Sequence, residues 1–290
     1  MHKIKLFFWN KANFGDALSP YIISKLTDNE IKFKKPYKGF VDLSRQIWTC
    51  IKLKKIHEIK HLTLPFEHVI FSIGSILSNS YHNSIVWGSG FMNKDEKFAG
   101  GKILALRGKY SNEKLKDMGF EGCDIFGDPA LLSPIVFSKK VEKTNKIGII
   151  PHWKDTEFFL TNYSKMYKII DLRTTDIESV ICEILSCKYI LSTSLHGIIV
   201  SHAYGIPALW MEKGYIDTDG FKFNDYFSSV GINPYTAFKN YDEILSEDFN
   251  IENFFELNKE CALPNVSIRD IQKSLLSVAP FKIKEKYKLC

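Results

Sequence analysis

None of the six cysteines stands at CxxC spacing from another, so the chain offers no zinc knuckle. It also lacks a dense group of histidines or carboxylates that would call for a metal. No run approaches the ~18 apolar residues of a membrane-spanning helix. The apolar stretch behind Met1 is too short for a secretion signal and is followed at once by a helix start. Internal repeats and low-complexity tracts are missing as well. These absences predict a cytosolic protein with reduced thiols. Charge of one sign is in only slight excess, with 39 Lys and Arg against 33 Asp and Glu. That balance suits an anionic small molecule or an acidic membrane surface and does not call for nucleic acid. Much of the excess lies in two clusters. One is Lys32, Lys34, Lys35, Lys38, Arg45, Lys52, Lys54, Lys55 and Lys60; the other is Lys282, Lys284, Lys286 and Lys288. They read as solvated surface or as a patch that meets lipid headgroups at the inner membrane face.

What the chain does have is an alternation of short apolar runs with helical periods over 290 residues, 45% of them hydrophobic. That pattern predicts parallel sheets covered by helices. Strands are expected at 5–9, 69–73, 85–87, 102–106 and 124–126, then at 147–150, 167–171, 189–191 and 208–211. Helices are expected at 16–26, capped by Asn13 or Asp16, at 111–118, capped by Ser111, and at 176–185, 196–204 and 266–278. The polar stretch SKKVEKTNK, residues 138–146, separates two sets of strands. The expected organisation is therefore two Rossmann-like domains, 1–140 and 141–290, with a cleft at the carboxyl ends of both sheets.

Residues able to do chemistry gather at those strand ends. Gly74 and Ser75 follow one strand, and Gly88 and Gly90 follow the next, where glycine admits a close ligand. Asn13, Gly15 and Asp16 open a helix whose free N–H groups suit an anion or a sugar hydroxyl, although Asp16 also reads as a simple cap. Arg107 lies just past a strand, with the planar, two-pronged geometry that holds carboxylate or phosphate. Asp128, in GDPALL, either holds a tight turn or meets a substrate hydroxyl. His152 ends the first strand of the second half as a proton donor, an anion ligand or a loop histidine. The strongest local feature is Ser194-Leu195-His196-Gly197, a polar turn into an apolar helix. His196 there combines a titratable imidazole with a helix N-terminus that can hold phosphate.

In the order NFGD, IGSIL, WGSGF, LRG, GDPALL, GIIPHW, STSLHGIIVSHAYGIPALW and FKFNDYFSSVG, the chain resembles the polysaccharide pyruvyl transferases from about Asn10 to Gly231. The resemblance implies the two-domain arrangement called GT-B. It implies phosphoenolpyruvate as co-substrate with no separate cofactor, and a saccharide acceptor, lipid-linked in one version, on which a cyclic pyruvate ketal is built. It implies that Arg107 binds the donor anion, that His196 sits at the reacting centre, and that Leu195 lines the pocket; the expected mechanism has a protonated His196 give its proton to the methylene carbon or assist phosphate departure. Family members often carry arginine where this chain has Ser194, and Lys213 or Arg173 are the expected substitutes for that charge. Two other readings remain open at this stage. One is a nucleotide-sugar glycosyltransferase using Glu212 for the ribose; the other is a non-catalytic polysaccharide-binding relative.

Overall fold

The computed structural model describes residues 3–37, 39–214 and 217–288. Lys38 of the first basic cluster and Cys290 lie outside those residues. The strands are β1 (Lys3–Phe7), β2 (Glu30–Phe33), β3 (Val69–Phe71), β4 (Ser84–Trp87), β5 (Lys102–Ala105), β6 (Asn145–Ile150), β7 (Lys168–Ile169), β8 (Cys187–Ser192) and β9 (Ala208–Trp210). The helices are α1 (Phe14–Leu26), α2 (Phe40–Lys52), α3 (Lys109–Asp117), α4 (Ser133–Val136), α5 (Thr156–Tyr163) and α6 (Ile177–Leu185). They continue with α7 (Leu195–Ala203), α8 (Phe221–Ser229), α9 (Tyr241–Ile244), α10 (Ile251–Leu257), α11 (Lys259–Ala262) and α12 (Ile268–Ser277).

Two sheets result, and all of their pairings are parallel. The first runs β2-β1-β3-β4-β5 and the second β7-β6-β8-β9. The central strand Val69–Phe71 is buried along its whole length, as a parallel strand covered on both faces must be, and so is Ala208–Trp210 at the edge of the second sheet. In each sheet the order reverses beside the first strand, between β1 and β3 and between β6 and β8. Such reversals open a crevice at the carboxyl ends, where open α/β sheets take ligands.

One apolar core joins the two sheets. Ile4, Leu6, Leu18 and Ile22 share it with Ile181, Ile198, Ile199 and Leu275, and α1 lies against both α6 and α7. Separate clusters around Phe71, Phe91 and Leu115, and around Ile149, Phe159 and Leu191, fill the outer layers. Late in the chain, α12 returns to the first sheet. Trp87 Nε1 donates to Leu275 O at 2.9 Å, Gln272 Nε2 donates to Leu131 O at 2.7 Å, and the Trp87 ring meets Phe281 edge-on.

The structure departs from the sequence pattern in identifiable places. Residues 124–126 form no strand; they contribute one bridge, Leu106 to Phe126, between Gly122 and Gly127. β2 is an edge strand with half-exposed side chains and so gives no apolar run. Ser111 lies inside α3 rather than at its cap, because its N–H and hydroxyl are both taken by Asp225. Asn13, not Asp16, caps α1, its side chain accepting from the Asp16 N–H at 3.3 Å. Among the described residues no helix is long and apolar enough to cross a membrane, and no group of three or more His, Cys, Asp or Glu is placed to hold a metal.

Trp87 is wholly buried and hydrogen-bonded. Trp87→Ala is therefore expected to lower unfolding stability by about 3–5 kcal/mol in urea titration. A loss below about 1 kcal/mol would mean that the indole does not hold α12 to the sheet.

Candidate functional site

The two crevices meet through a glycine and a histidine. Gly15, in the first turn of α1, lies so close to the His196 ring that any side chain there would overlap Nδ1. His196 stands at the second position of α7, whose N-cap is Ser194 in extended conformation with no side-chain cap bond. The N–H groups of Leu195, His196 and Gly197 have no acceptor among the described residues. They are the orphan donors of a nine-residue helix, at its positive end. His196 Nε2 is sealed from solvent and likewise has no partner.

Two loops hold this arrangement. The Ser194 N–H donates to Ser192 Oγ at 3.0 Å, and Ser192 Oγ donates to Ile150 O at 2.8 Å. Thr193 Oγ1 accepts from the His152 N–H at 2.6 Å and donates to Asp155 Oδ2 at 3.1 Å. The ends of β6 and β8 are thereby laced together, which brings His152 to the same crevice as His196.

Arg107 does something other than the sequence suggests. It is fully buried and occupied by protein. Nε donates to Asp225 Oδ2 at 2.9 Å, Nη1 to Ser75 Oγ at 2.6 Å, and Nη2 to Phe91 O. Asp225 also accepts from the Ser111 N–H and hydroxyl, each at 2.7 Å. This knot ties the loops after β3, β4 and β5 to α8. The guanidinium thus has its partners already and does not lie open to a donor anion, but its charge still reaches the neighbouring groups.

Lys222 is the residue that the motif reading passed over. It lies in the first turn of α8, which starts from Gly220 in the left-handed region at φ 86°. The residues around it on that helix, Phe221, Phe223, Asp225 and Tyr226, are all buried, and little of the lysine meets water. It makes no ion pair or hydrogen bond with a described residue and rests against the Phe223 ring at 5.3 Å. Burial, and then the Arg107 charge, push its pKa down to about 8, against the pull of Asp217 and Asp16. A lysine spaced among aromatics, as in FKFNDYF, was the available signal.

The substitutes expected for a charge at Ser194 are committed elsewhere. Arg173 is held by Asp171 and Glu157, and Lys213 lies over the Phe158 ring at 4.2 Å. Glu212, the candidate ribose ligand, pairs with Lys239 at 3.7 Å.

The titratable groups have been driven apart. Burial, then Lys222 and Arg107, take the His196 imidazole down to about 3. Burial, then Lys222 and Lys154, take His152 down to about 4. Where the expected mechanism calls for a protonated His196, its surroundings in the fold favour the neutral imidazole, first by burial and then by the Lys222 and Arg107 charges. Asp16 moves the other way, pushed by burial to about 7 against a backbone hydrogen bond from Trp9 and the Lys222 charge. It is a carboxyl that keeps its proton near neutrality, beside Gly74 at the end of β3.

The other glycines admit protein rather than ligand. Gly88 lies against Pro129, Gly90 against the Arg107–Asp225 pair, and Gly197 against Ile150 and Ser192. Asp128 is a turn holder, its Oδ1 accepting from the Ala130 N–H at 2.9 Å. The residues that the fold brings together are thus Asp16, Gly15, His152, Leu195, His196 and Lys222, with Ser75 and Arg107 behind them. Chemically, these groups offer a buried ammonium, two imidazoles that favour the neutral form and a carboxyl that titrates near neutrality.

Comparison with known proteins adds two findings. The family model described as polysaccharide pyruvyl transferase matches residues 13–212. A curated relative, uncharacterized protein L143 of Acanthamoeba polyphaga mimivirus, is 27% identical over 258 residues, which cover 86% of this chain and 81% of that protein.

Removing one member of the buried Arg107–Asp225 pair strands the other charge, so Asp225→Asn or Arg107→Met alone should cost about 3–5 kcal/mol. The double variant Arg107→Met/Asp225→Leu is expected to recover part of that loss in the same denaturation assay. Equal or additive losses would mean that the pair is not the tie described. NMR of the His196 ring in the ligand-free protein should find it neutral down to pH 5, as a pKa of about 3 requires. Protonation near pH 6.5 would contradict the burial and charge described.

Proposed function

The chain belongs to the polysaccharide pyruvyl transferase family, and from that premise we propose that it moves the pyruvyl group of phosphoenolpyruvate onto a sugar of a surface polysaccharide or its lipid-linked precursor. The product is a cyclic ketal, with inorganic phosphate released. The observation that carries this reading is Lys222, a buried cation with no ion pair or hydrogen bond among the described residues, in the electrostatic reach of His196 at the N-terminus of α7. Positive charge kept out of water and left unpaired is costly, and an anionic ligand relieves that cost. Phosphoenolpyruvate supplies a phosphate for the helix N-terminus and a carboxylate for the lysine, within one small molecule. The reading includes residues 1–140 and 141–290 as two facing domains of GT-B type, with the acceptor entering from the first.

In this mechanism the methylene carbon of the donor takes a proton, and the adjacent carbon becomes oxocarbenium-like. One sugar hydroxyl attacks that carbon and gives up its proton. A second hydroxyl then displaces phosphate, closing the ring, and its proton leaves with the phosphate. Asp16, which keeps its carboxyl proton to about pH 7, fits the role of the acid. His196, whose burial favours the neutral imidazole, fits the role of the base for the hydroxyl. Arrival of the anionic donor raises its proton affinity by offsetting the Lys222 and Arg107 charges. Arg107 is a positioning residue: it fixes Ser75 and the loop bearing Phe91, and contributes field rather than contact. The Leu195 side chain, buried at the start of α7, keeps water from the reacting carbon.

Phosphate release and ketal formation can be followed together with purified protein. Lys222→Met should lower kcat/KM for phosphoenolpyruvate by about 10²- to 10³-fold, mostly through KM, with partial rescue by Lys222→Arg. His196→Gln and Asp16→Asn should each lower kcat by about 10²- to 10⁴-fold. Turnover near normal in any of the three removes that residue from the scheme. In the wild type, kcat/KM for the donor should fall as pH rises above about 7, where free Asp16 loses its proton, and more steeply above about 8, where free Lys222 gives up its own. The steeper fall above about pH 8 should be absent from the Lys222→Arg variant, leaving the limb set by Asp16.

A further inference from the structure

We propose that α2 and the turn after it form a membrane-lying element that seats this protein on an anionic bilayer. Helix α2 is amphipathic, yet of its residues only Leu43 is fully buried. Its apolar side is wider than the core it covers. Residues 40, 41, 44, 48 and 51 follow one another around the solvent side at helical spacing, and four of the five are large hydrophobics. Phe40 is 74% exposed and Trp48 59% exposed, and Val41 and Ile51 are open to solvent with them. The surface continues past the helix through Leu53, Ile56, Leu64 and Phe66, all exposed. An exposed apolar cluster of this extent on one stretch of chain is not the scattered exposure of an ordinary surface.

Its border is cationic. Arg45 and Lys52 stand beside the apolar row on α2, and Lys54, Lys55 and Lys60 follow, all of them exposed. The acidic groups on the same stretch are Asp42, which accepts from Gln46, and Glu58, which lies against His57. Lys52 Nζ lies 4.8 Å from the centre of the Trp48 ring, the pairing of cation and indole that suits a headgroup boundary. Apolar side chains that need burial, surrounded by five cations against two carboxylates, match an anionic lipid surface in both depth and charge. A protein partner would have to be acidic and greasy at once. The patch is also well located, because α2 leaves from the carboxyl end of β2, the end of the first sheet that carries Asn13 and Ser75. This inference concerns the surface and stands whether or not the proposed reaction is correct.

Co-sedimentation of the full chain with vesicles tests it, using phosphatidylcholine alone and phosphatidylcholine mixed with phosphatidylglycerol. The wild type should partition to the mixed vesicles and hardly to the neutral ones, and the partition should weaken with added salt. Phe40→Glu/Trp48→Glu and, separately, Lys52→Glu/Lys54→Glu/Lys55→Glu should each cut it about tenfold or more, with an unchanged melting temperature. Lys282→Glu/Lys286→Glu, in the other basic cluster, should leave it within about twofold. Three results would overturn the proposal: no partition of the wild type at low salt, partition unaffected by the α2 variants, or a concentration-dependent dimer that Trp48→Glu dissolves while vesicles capture nothing. The last would make the face a contact between copies of this chain.

Discussion

A guanidinium and a carboxylate, both without access to water, hold the site in register. Arg107 leaves β5 and Asp225 comes from α8, and between them they engage Ser75, Phe91 and Ser111. Desolvating two opposite charges is expensive, and their mutual attraction offsets that only in well-matched geometry with the remaining hydrogen bonds made. Here four further hydrogen bonds make them. The consequence runs along α8: Asp225 and Lys222 lie one turn apart on the same helix, so fixing the first fixes the second. The buried lysine is where it is because the ion pair beside it leaves little room for slack.

That arrangement also explains why the titrating groups diverge. Burial first, and then the charges of Lys222 and Arg107, push the His196 imidazole down, while burial lifts a carboxyl that lacks enough donors. His196 and Asp16 therefore move in opposite directions without a charge partner dedicated to either. The site is charged by what it excludes as much as by what it contains. An anion entering it changes the protonation of everything around it at once.

Much of this could be read from the residues in order. The alternation of apolar runs and helical periods gives parallel α/β structure, and the glycine-rich strand ends and SLHG mark the crevices, because those signals are local. What escaped was relational. Lys222 carries no motif; its meaning comes from the burial of α8, which no window of sequence reports. Arg107 was legible as important but not as paired, since Asp225 lies 118 positions away. The edge strand β2 and the exposed side of α2 were missed for a simpler reason. Glu30 and Lys32 break the apolar count in one, and in the other hydrophobic residues face outward, against the usual assumption.

The hydrogen bond from Trp87 to Leu275 spans 188 positions. During synthesis the indole of the first sheet is therefore made long before its acceptor exists, and until α12 emerges it must be shielded by something else or stay wet. The early sheet can form its strand pairs as it appears, but its final closure waits for the late helix. Folding of this chain on the ribosome should thus end with one long-range docking event, and the nascent chain stays open to chaperones, proteases and aggregation up to that point.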